Sequence, residues 1–223
     1  MNHIPNILTC CNLICGCVGI IFLWEASDVP AAYFVWAACI FDFFDGFAAR
    51  LLKIQSPIGK QLDSLADMVS FGALPALFMY KLIASGSPST YLPYVAILIA
   101  ICSAIRLAVF NLDESQSDAF KGLPVPANAI FLTSLPFLLE LNLDLVTKPI
   151  ILVIITVVFS VLLVSRFELF ALKFKNFGWP DNKIRFTFLG LSVLLLITLQ
   201  MAALPLIIIL YIALSLAVRV FWK

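Results

Sequence analysis

Eight stretches of mostly apolar residues, each near the length that crosses a bilayer, divide this chain: Ile7–Trp24, Val29–Leu52, Ile58–Ile83, Tyr91–Phe110, Pro124–Leu141, Lys148–Ser165, Ile184–Leu199 and Ala203–Phe221. A transmembrane helix needs about 20 such residues in a row. The whole chain is 63% hydrophobic and 12% charged, where soluble domains run near half and a quarter. The predicted fold class is therefore all-α: a polytopic membrane helix bundle of about eight transmembrane helices. Short polar linkers punctuate it (ASDVP, SGSPST, NLDESQSD and NFGWPDNK) with the usual turn formers. No soluble domain fits between the spans, so residues 1–223 read as a single membrane-embedded domain. The longest polar segment, Arg166 to Lys183, reads as one short amphipathic helix at the surface.

Positive charge orients such a bundle, because cytoplasmic loops collect Lys and Arg. With a cytoplasmic N-terminus, that side receives Arg50, Lys53, Lys60, Arg106, Lys121, Arg166, Lys173, Lys175, Lys183, Arg185, Arg219 and Lys223. Only Lys81 and Lys148, of 14 basic residues, fall opposite. Both termini are expected in the cytoplasm. The start, MNHIPNILTC, lacks a positive leader and a small-residue cleavage site, so the first apolar segment is expected to be retained as a span in the cell membrane. A net charge of +1 without a basic run gives no reason to expect nucleic acid as a partner.

Against this apolar background the stretch DFFDGFAARLLKIQSPIGKQLDSLAD, from Asp42 to Asp67, is anomalous. Helical residues three or four apart share a face. Asp42 and Asp45 therefore point together near the cytoplasmic end of the second span, and Asp63 and Asp67 near the start of the third. The turn between the spans lets the pairs face each other. Four carboxylates so close repel one another unless a cation sits among them, and hard divalent ions such as Mg²⁺ or Mn²⁺ favour oxygen ligands. Two metals bridged by carboxylates are a known device for phosphoryl transfer. Charged groups inside a membrane bundle are expensive and usually functional; the structural alternative is surface acids paired with Arg50, Lys53 and Lys60. Gly46 lies one turn after Asp42 and Gly59 one turn before Asp63, and each clears space for a ligand or for close helix contact. Arg50 carries a rigid fork suited to phosphate. The cysteines (Cys10, Cys11, Cys15, Cys17, Cys39 and Cys102) have no histidine beside them and fit no zinc spacing, so they read as small packing residues.

Written as D-x2-D-G-x2-A-R-x8-G-x3-D-x3-D, the stretch resembles the signature of the CDP-alcohol phosphotransferase family at every fixed position: Asp42, Asp45, Gly46, Ala49, Arg50, Gly59, Asp63 and Asp67. The resemblance implies attack of an alcohol on the β-phosphorus of a CDP-linked substrate, with CMP leaving. It implies two divalent ions on Asp42, Asp45, Asp63 and Asp67, with Asp67 also taking the proton of the attacking hydroxyl. It further implies that Gly46, Ala49, Arg50, Ser56 and Gly59 line the nucleotide and diphosphate site, bordered by Asn6 and Thr9, and that the protein is a homodimer.

Beyond the motif, IPNILTCCNLICG, DSLADMVSFGALPA, SAIRLAVFNL and KGLPVPAN are similar to the serine-using members of that family. Met68 follows the last aspartate, where glycerophosphate-using members usually carry lysine. Val125 and Asn128 depart from the small residues usual in the last segment. The implied substrates are a CDP-activated lipid, such as CDP-diacylglycerol or its ether equivalent, and L-serine. Serine needs a cation for its carboxylate and an acceptor for its ammonium, and Arg106, Lys121 and Asn128 are the candidates. Arg106 reads alternatively as an arginine snorkelling to the interface. Inositol, inositol phosphate or glycerol phosphate is the nearest rival acceptor. A cation transporter would want its acids at the bilayer midplane and an internal repeat, and neither is evident. An intramembrane di-aspartate protease needs deeper acids and leaves the four-acid spacing unexplained.

Overall fold

The computed structural model describes residues 3–25, 30–53, 56–112, 119–143, 146, 148–170 and 178–221. They are nearly all helical: α1 (Ile4–Trp24), α2 (Ala31–Leu51), α3 (Pro57–Asp67), α4 (Leu74–Gly86), α5 (Ile97–Leu112), α6 (Val125–Ser134), α7 (Pro149–Val164), α8 (Trp179–Leu199) and α9 (Ala203–Phe221). A π-helical turn, Met68–Ala73, joins α3 to α4, so Pro57–Gly86 runs as one continuous helix. Five helical stretches among the described residues are long and apolar enough to cross a membrane, and Val125–Leu141 and Pro149–Val164 are shorter apolar helices. The last of the five, Asn182–Val218, contains a break. Gln200 takes φ 49 between α8 and α9, and the two helices pack against each other.

The arrangement is inside-out relative to a soluble bundle. On α1 the buried residues are Pro5, Thr9, Asn12, Gly16 and Gly19, spaced alternately four and three apart, while Ile7, Ile14 and Ile21 are exposed. Lipid solvates the isoleucines as well as a core would, so helix association relies on small residues that admit close backbones and on polar contacts. Gly16 shows the closeness. A Cβ there would stand 2.8 Å from Ser70 Cα and 2.9 Å from Ser70 N, backbone atoms of the π turn. Any side chain would push α1 off that turn. A Cβ on Gly19 would crowd the side chains of Phe34 of α2 and Leu74 of α4.

The boundaries around the acidic turn follow from local chemistry. α2 closes at Leu51, and Lys53 adopts φ 53, a left-handed conformation that no helix continues through. α3 restarts with Ser56 as N-cap, its Oγ accepting from Gly59 N at 2.9 Å, and Pro57 at the first helical position, where its missing N–H costs nothing. The remaining core is apolar. Met79, Ile83, Ile99, Leu132 and Leu152 are fully buried, and Phe131 stacks on Phe159 with centroids 3.8 Å apart.

Where the sequence predicts a surface helix over Arg166–Lys183, residues 168–170 form a strand and 179–183 open α8. Glu168–Phe170 (β2) pairs antiparallel with Ala119–Lys121 (β1), Phe120 opposite Leu169. Residues 171–177 lie outside the described residues. The segment is extended because alternation puts Leu169 inward, 2% exposed, while the Phe170 carbonyl accepts from Tyr211 Oη at 2.9 Å. Gly122 then turns with φ 83, and its N–H donates to the Phe167 carbonyl at 2.7 Å. A Cβ there would strike the Leu163 and Ser165 carbonyls, so only glycine lets β1 lead into α6.

Candidate active site

α2 and α3 bring their acids together as the helical spacing requires, but not symmetrically. Asp42, Asp63 and Asp67 each offer an oxygen, and these lie within 4.8 Å of one another. Asp45 is not one of these three, and its Oδ2 accepts from Thr9 Oγ1 of α1 at 2.6 Å. Asp45 and Asp67 are buried, at 5% and 7% exposure. Asp63 Oδ1 is buried with no protein hydrogen-bond partner. An orphaned carboxylate oxygen inside an oxygen-only donor set fits a hard divalent cation, since no sulfur or imidazole is among the ligands.

α1 supplies the polar contacts that hold two of the acids. The Thr9 hydroxyl sits between Asp45 Oδ2 and the Pro5 carbonyl, the latter at 3.0 Å; its single proton favours the shorter, charge-assisted bond. One turn on, Asn12 Nδ2 donates to Asp67 Oδ1 at 2.9 Å. Ser70 Oγ, in the π turn directly after Asp67, donates to the Asn12 carbonyl at 2.8 Å. π turns inside α-helices frequently mark functional sites. Here the extra residue seats Ser70 against Gly16 and Asn12.

Two cavities meet at the acids. One of about 630 Å³ is lined by Pro5, Asn6, Thr9, Ala49, Ser56, Pro57, Gly59 and Lys60, together with Asp45, Gly46 and Asp63. The other, about 450 Å³, shares those last three residues and adds Asp42, Phe43, Arg50, Ser64, Asp67, Arg106, Leu107, Phe110 and Pro124–Pro126. The glycines now separate. A Cβ on Gly46 would meet only the Arg50 guanidinium, at an ordinary 3.5 Å, so no contact within the protein demands glycine there. On Gly59 it would stand 2.8 Å from Ser56 Oγ and 3.2 Å from Asn6 Oδ1. Gly46 keeps the cavities open; Gly59 is a packing requirement as well.

The second cavity contains Arg106, 6% exposed, its guanidinium carbon 5.8 Å from the Phe110 ring centroid. It lies inside the bundle beside the acids rather than snorkelling to the surface. Asn128, one turn into α6, is fully buried with neither amide atom hydrogen-bonded, and Val125, but not Asn128, reaches the cavity wall. The Lys121 side chain lies outside the described residues. Reasoning from sequence missed Asn12 and Ser70, and named Lys60 only as a partner for the acids. Lys60 Nζ donates to the Asn111 carbonyl at 2.6 Å, and Asn111 Nδ2 to Ser64 Oγ at 2.8 Å, tying the end of α5 to α3. Polar residues recurring on the buried stripe of an apolar helix are the signal that would have found Asn12.

A multi-pass helical membrane protein that gathers carboxylates beside two joined cavities is a candidate for metal-assisted chemistry on a lipid. The chain matches the family model described as CDP-alcohol phosphatidyltransferase over residues 2–164 and belongs to that family. It is 37% identical over 173 residues to a protein of Bacillus subtilis (strain 168) named CDP-diacylglycerol–serine O-phosphatidyltransferase, covering 75% of this chain and 90% of that one. A protein of the same name from Mycobacterium bovis is 36% identical over 142 residues, 60% of this chain and 49% of that one. A third, from Methanocaldococcus jannaschii, is 33% identical over 129 residues, 58% of each. The chain thus spans nearly all of the Bacillus relative and about half of the mycobacterial one.

Proposed function

We propose that the protein transfers the phosphatidyl group of a CDP-activated lipid to the hydroxyl of L-serine, giving phosphatidylserine and CMP. The observation that carries this is the pair of cavities joined at Asp45, Gly46 and Asp63, which gives a two-part donor and an acceptor one shared reaction point. Family membership and the named relatives support the chemistry and the acceptor.

In this reading the nucleotide and diphosphate occupy the first cavity, against Asn6, Thr9, Gly46, Ala49, Ser56 and Gly59. Arg50, whose guanidinium folds back beside Gly46, holds a phosphate. Asp42, Asp45, Asp63 and Asp67 hold two divalent cations, Mg²⁺ or Mn²⁺, which when bound offset the diphosphate charge and that of the departing phosphate. The serine oxygen forms its bond to the β-phosphorus, and the bond from that phosphorus to the bridging oxygen breaks. CMP leaves with that oxygen. Asp67 takes the hydroxyl proton as general base. Arg106 holds the serine carboxylate from within the second cavity, with Lys121 and Asn128 as further candidates, Asn128 lying behind the cavity wall rather than on it.

The lipid tails leave between α2 and α5. Both helices line the second cavity, they are not closely packed on one another, and Phe43 and Phe110 at this gap are 62% and 44% exposed. Eight spans with both termini cytoplasmic place the acids on the cytoplasmic side of the cell membrane. The Lys/Arg bias supports this side; Trp24, Tyr91 and Tyr94, exposed at helix ends away from the acids, suit the opposite interface, where Lys81 caps α1 through the Leu23 carbonyl. The whole chain acts as one membrane-embedded domain, and family resemblance favours a homodimer, which cross-linking in membranes tests.

The deciding experiment supplies purified protein with CDP-diacylglycerol, Mn²⁺ or Mg²⁺, and labelled serine, inositol or glycerol 3-phosphate in parallel, with Asp67→Asn as blank. Labelled lipid and CMP from serine alone are expected. Product with another alcohol discards the serine pocket, and no CMP with any acceptor discards the transferase reading.

A further inference from the structure

α1 contributes to the site through hydrogen bonds rather than through cavity lining alone, and Asn12 is the residue in question. It is fully buried, lines neither of the two cavities, and spends its amide on one oxygen of Asp67. Its orientation is dictated chemically. The Asn12 Oδ1 has no hydrogen-bond partner, and turning the amide over would set that oxygen against the Asp67 carboxylate, acceptor against acceptor. The backbone of the same residue is also held, because Ser70 Oγ donates to its carbonyl at 2.8 Å and Gly16 lets α1 press against Ser70. Asn12 and Ser70 thus close a loop: Asp67, the Asn12 side chain, the Asn12 carbonyl, Ser70, and back along three residues of π-distorted helix to Asp67.

We propose that Asn12 is a positioning residue, held in place by Ser70, which fixes the Asp67 carboxylate by occupying one oxygen and presenting the other to the cation and the reacting hydroxyl. The proposal rests on the transferase reading above. Asn12 lines neither cavity and bonds Asp67, so it acts through Asp67. The two bonds to Asp67 and from Ser70 remove the freedom of a carboxylate to rotate about its own stem. Partners that orient a ligand in this way commonly contribute about 10- to 100-fold in metal affinity or activity. A side chain that merely filled space at this helix crossing would contribute to melting temperature instead.

The test uses the full chain in detergent. Mn²⁺ binding is followed without substrate by the loss of the free-ion EPR signal, and CMP release gives kcat and KM for CDP-diacylglycerol. Asn12→Leu keeps the branched outline and removes the donor; Asn12→Asp keeps the shape and replaces the donor with a charge. Both are expected to weaken Mn²⁺ binding and lower kcat by about 10- to 100-fold, with KM for the CDP-lipid little changed, because Asn12 lines neither cavity. Ser70→Ala, the milder change, is expected to move both readouts in the same direction by less, and serves if the Asn12 variants do not fold. Wild-type Mn²⁺ affinity and kcat in a folded variant, with only the melting temperature lowered, would overturn the proposal. A wild-type protein that binds Mn²⁺ but releases no CMP would overturn the transferase reading while leaving the Asn12–Asp67 effect on binding measurable. One that does neither overturns both.

Discussion

Thr9 and Asp45 lie 36 residues apart, yet the Thr9 hydroxyl donates to the Asp45 carboxylate at 2.6 Å. This bond fixes one oxygen of an aspartate that lines both cavities beside Asp63. Thr9→Val keeps the side-chain shape and removes the donor, leaving a buried carboxylate short of a partner. A lost bond of this kind costs about 1 to 3 kcal/mol, so the melting temperature should fall. KM for the CDP-lipid should rise, because Asp45 and Thr9 both face the first cavity. Thr9→Ser should restore both. Thermal melts and CMP-release kinetics check this, and a Thr9→Val protein with wild-type KM would remove Thr9 from the nucleotide site.

The glycines give a sharper contrast. Gly46→Ala adds a methyl where the protein itself leaves room, and alanine within a helix is favoured over glycine by about 1 kcal/mol. The variant should melt no lower than wild type while KM for CDP-diacylglycerol rises. Gly59→Ala forces a Cβ to 2.8 Å from Ser56 Oγ, the cap that starts α3. That variant should melt lower and lose activity through the displaced helix end. Equal behaviour of the two would show that both glycines serve packing alone.

How much of this was legible beforehand depends on what each feature rests on. The acid pairs were, since i, i+3 and i, i+4 spacing is a property of one helix and the turn at Lys53 brings two helices together. That Thr9 would donate to Asp45 was not, because spacing along α2 says nothing of what α1 presents to it. The stripe Pro5, Thr9, Asn12, Gly16, Gly19 has the period of a packing seam, but in an apolar span both faces avoid charge and hydropathy does not mark which one is buried. Its small and polar character was the readable clue. The β1–β2 pairing was beyond reach: strands of three residues, 119–121 and 168–170, carry no periodic signal, and the turn depends on a glycine whose need for φ 83 appears only once the Leu163 carbonyl sits beside it.

Arg106 is buried beside Asp42 and Asp67 in the second cavity, with Phe110 beneath its guanidinium. If it receives the carboxylate of serine, Arg106→Ala should raise KM for serine far more than KM for the CDP-lipid. Arg106→Lys should recover little, because a point charge replaces a fork matched to a carboxylate. Initial rates with each substrate varied in turn decide the matter. A parallel rise in both constants would assign Arg106 to the shape of the site instead.

The gap between α2 and α5 leads to a prediction about lipid length. Phe43 stands at this gap, mostly exposed and stacked on Phe47 with rings 10° apart, and Phe110 stands across the cavity on α5. Acyl chains leaving there would pass between them, whereas a donor with very short chains would end inside the cavity. Phe43→Trp enlarges one side of the gap without adding charge to a lipid-facing surface. Crowding an apolar passage by a few atoms costs about 1 to 3 kcal/mol, or roughly 10-fold and upward. KM for dioleoyl CDP-diacylglycerol should therefore rise by that order, while KM for the dihexanoyl form stays near wild type. The short-chain substrate is the internal control, since it needs the same acids, the same nucleotide contacts and the same serine. If both donors respond equally, Phe43 acts on the reacting groups rather than on the tails, and the chains leave the bundle elsewhere.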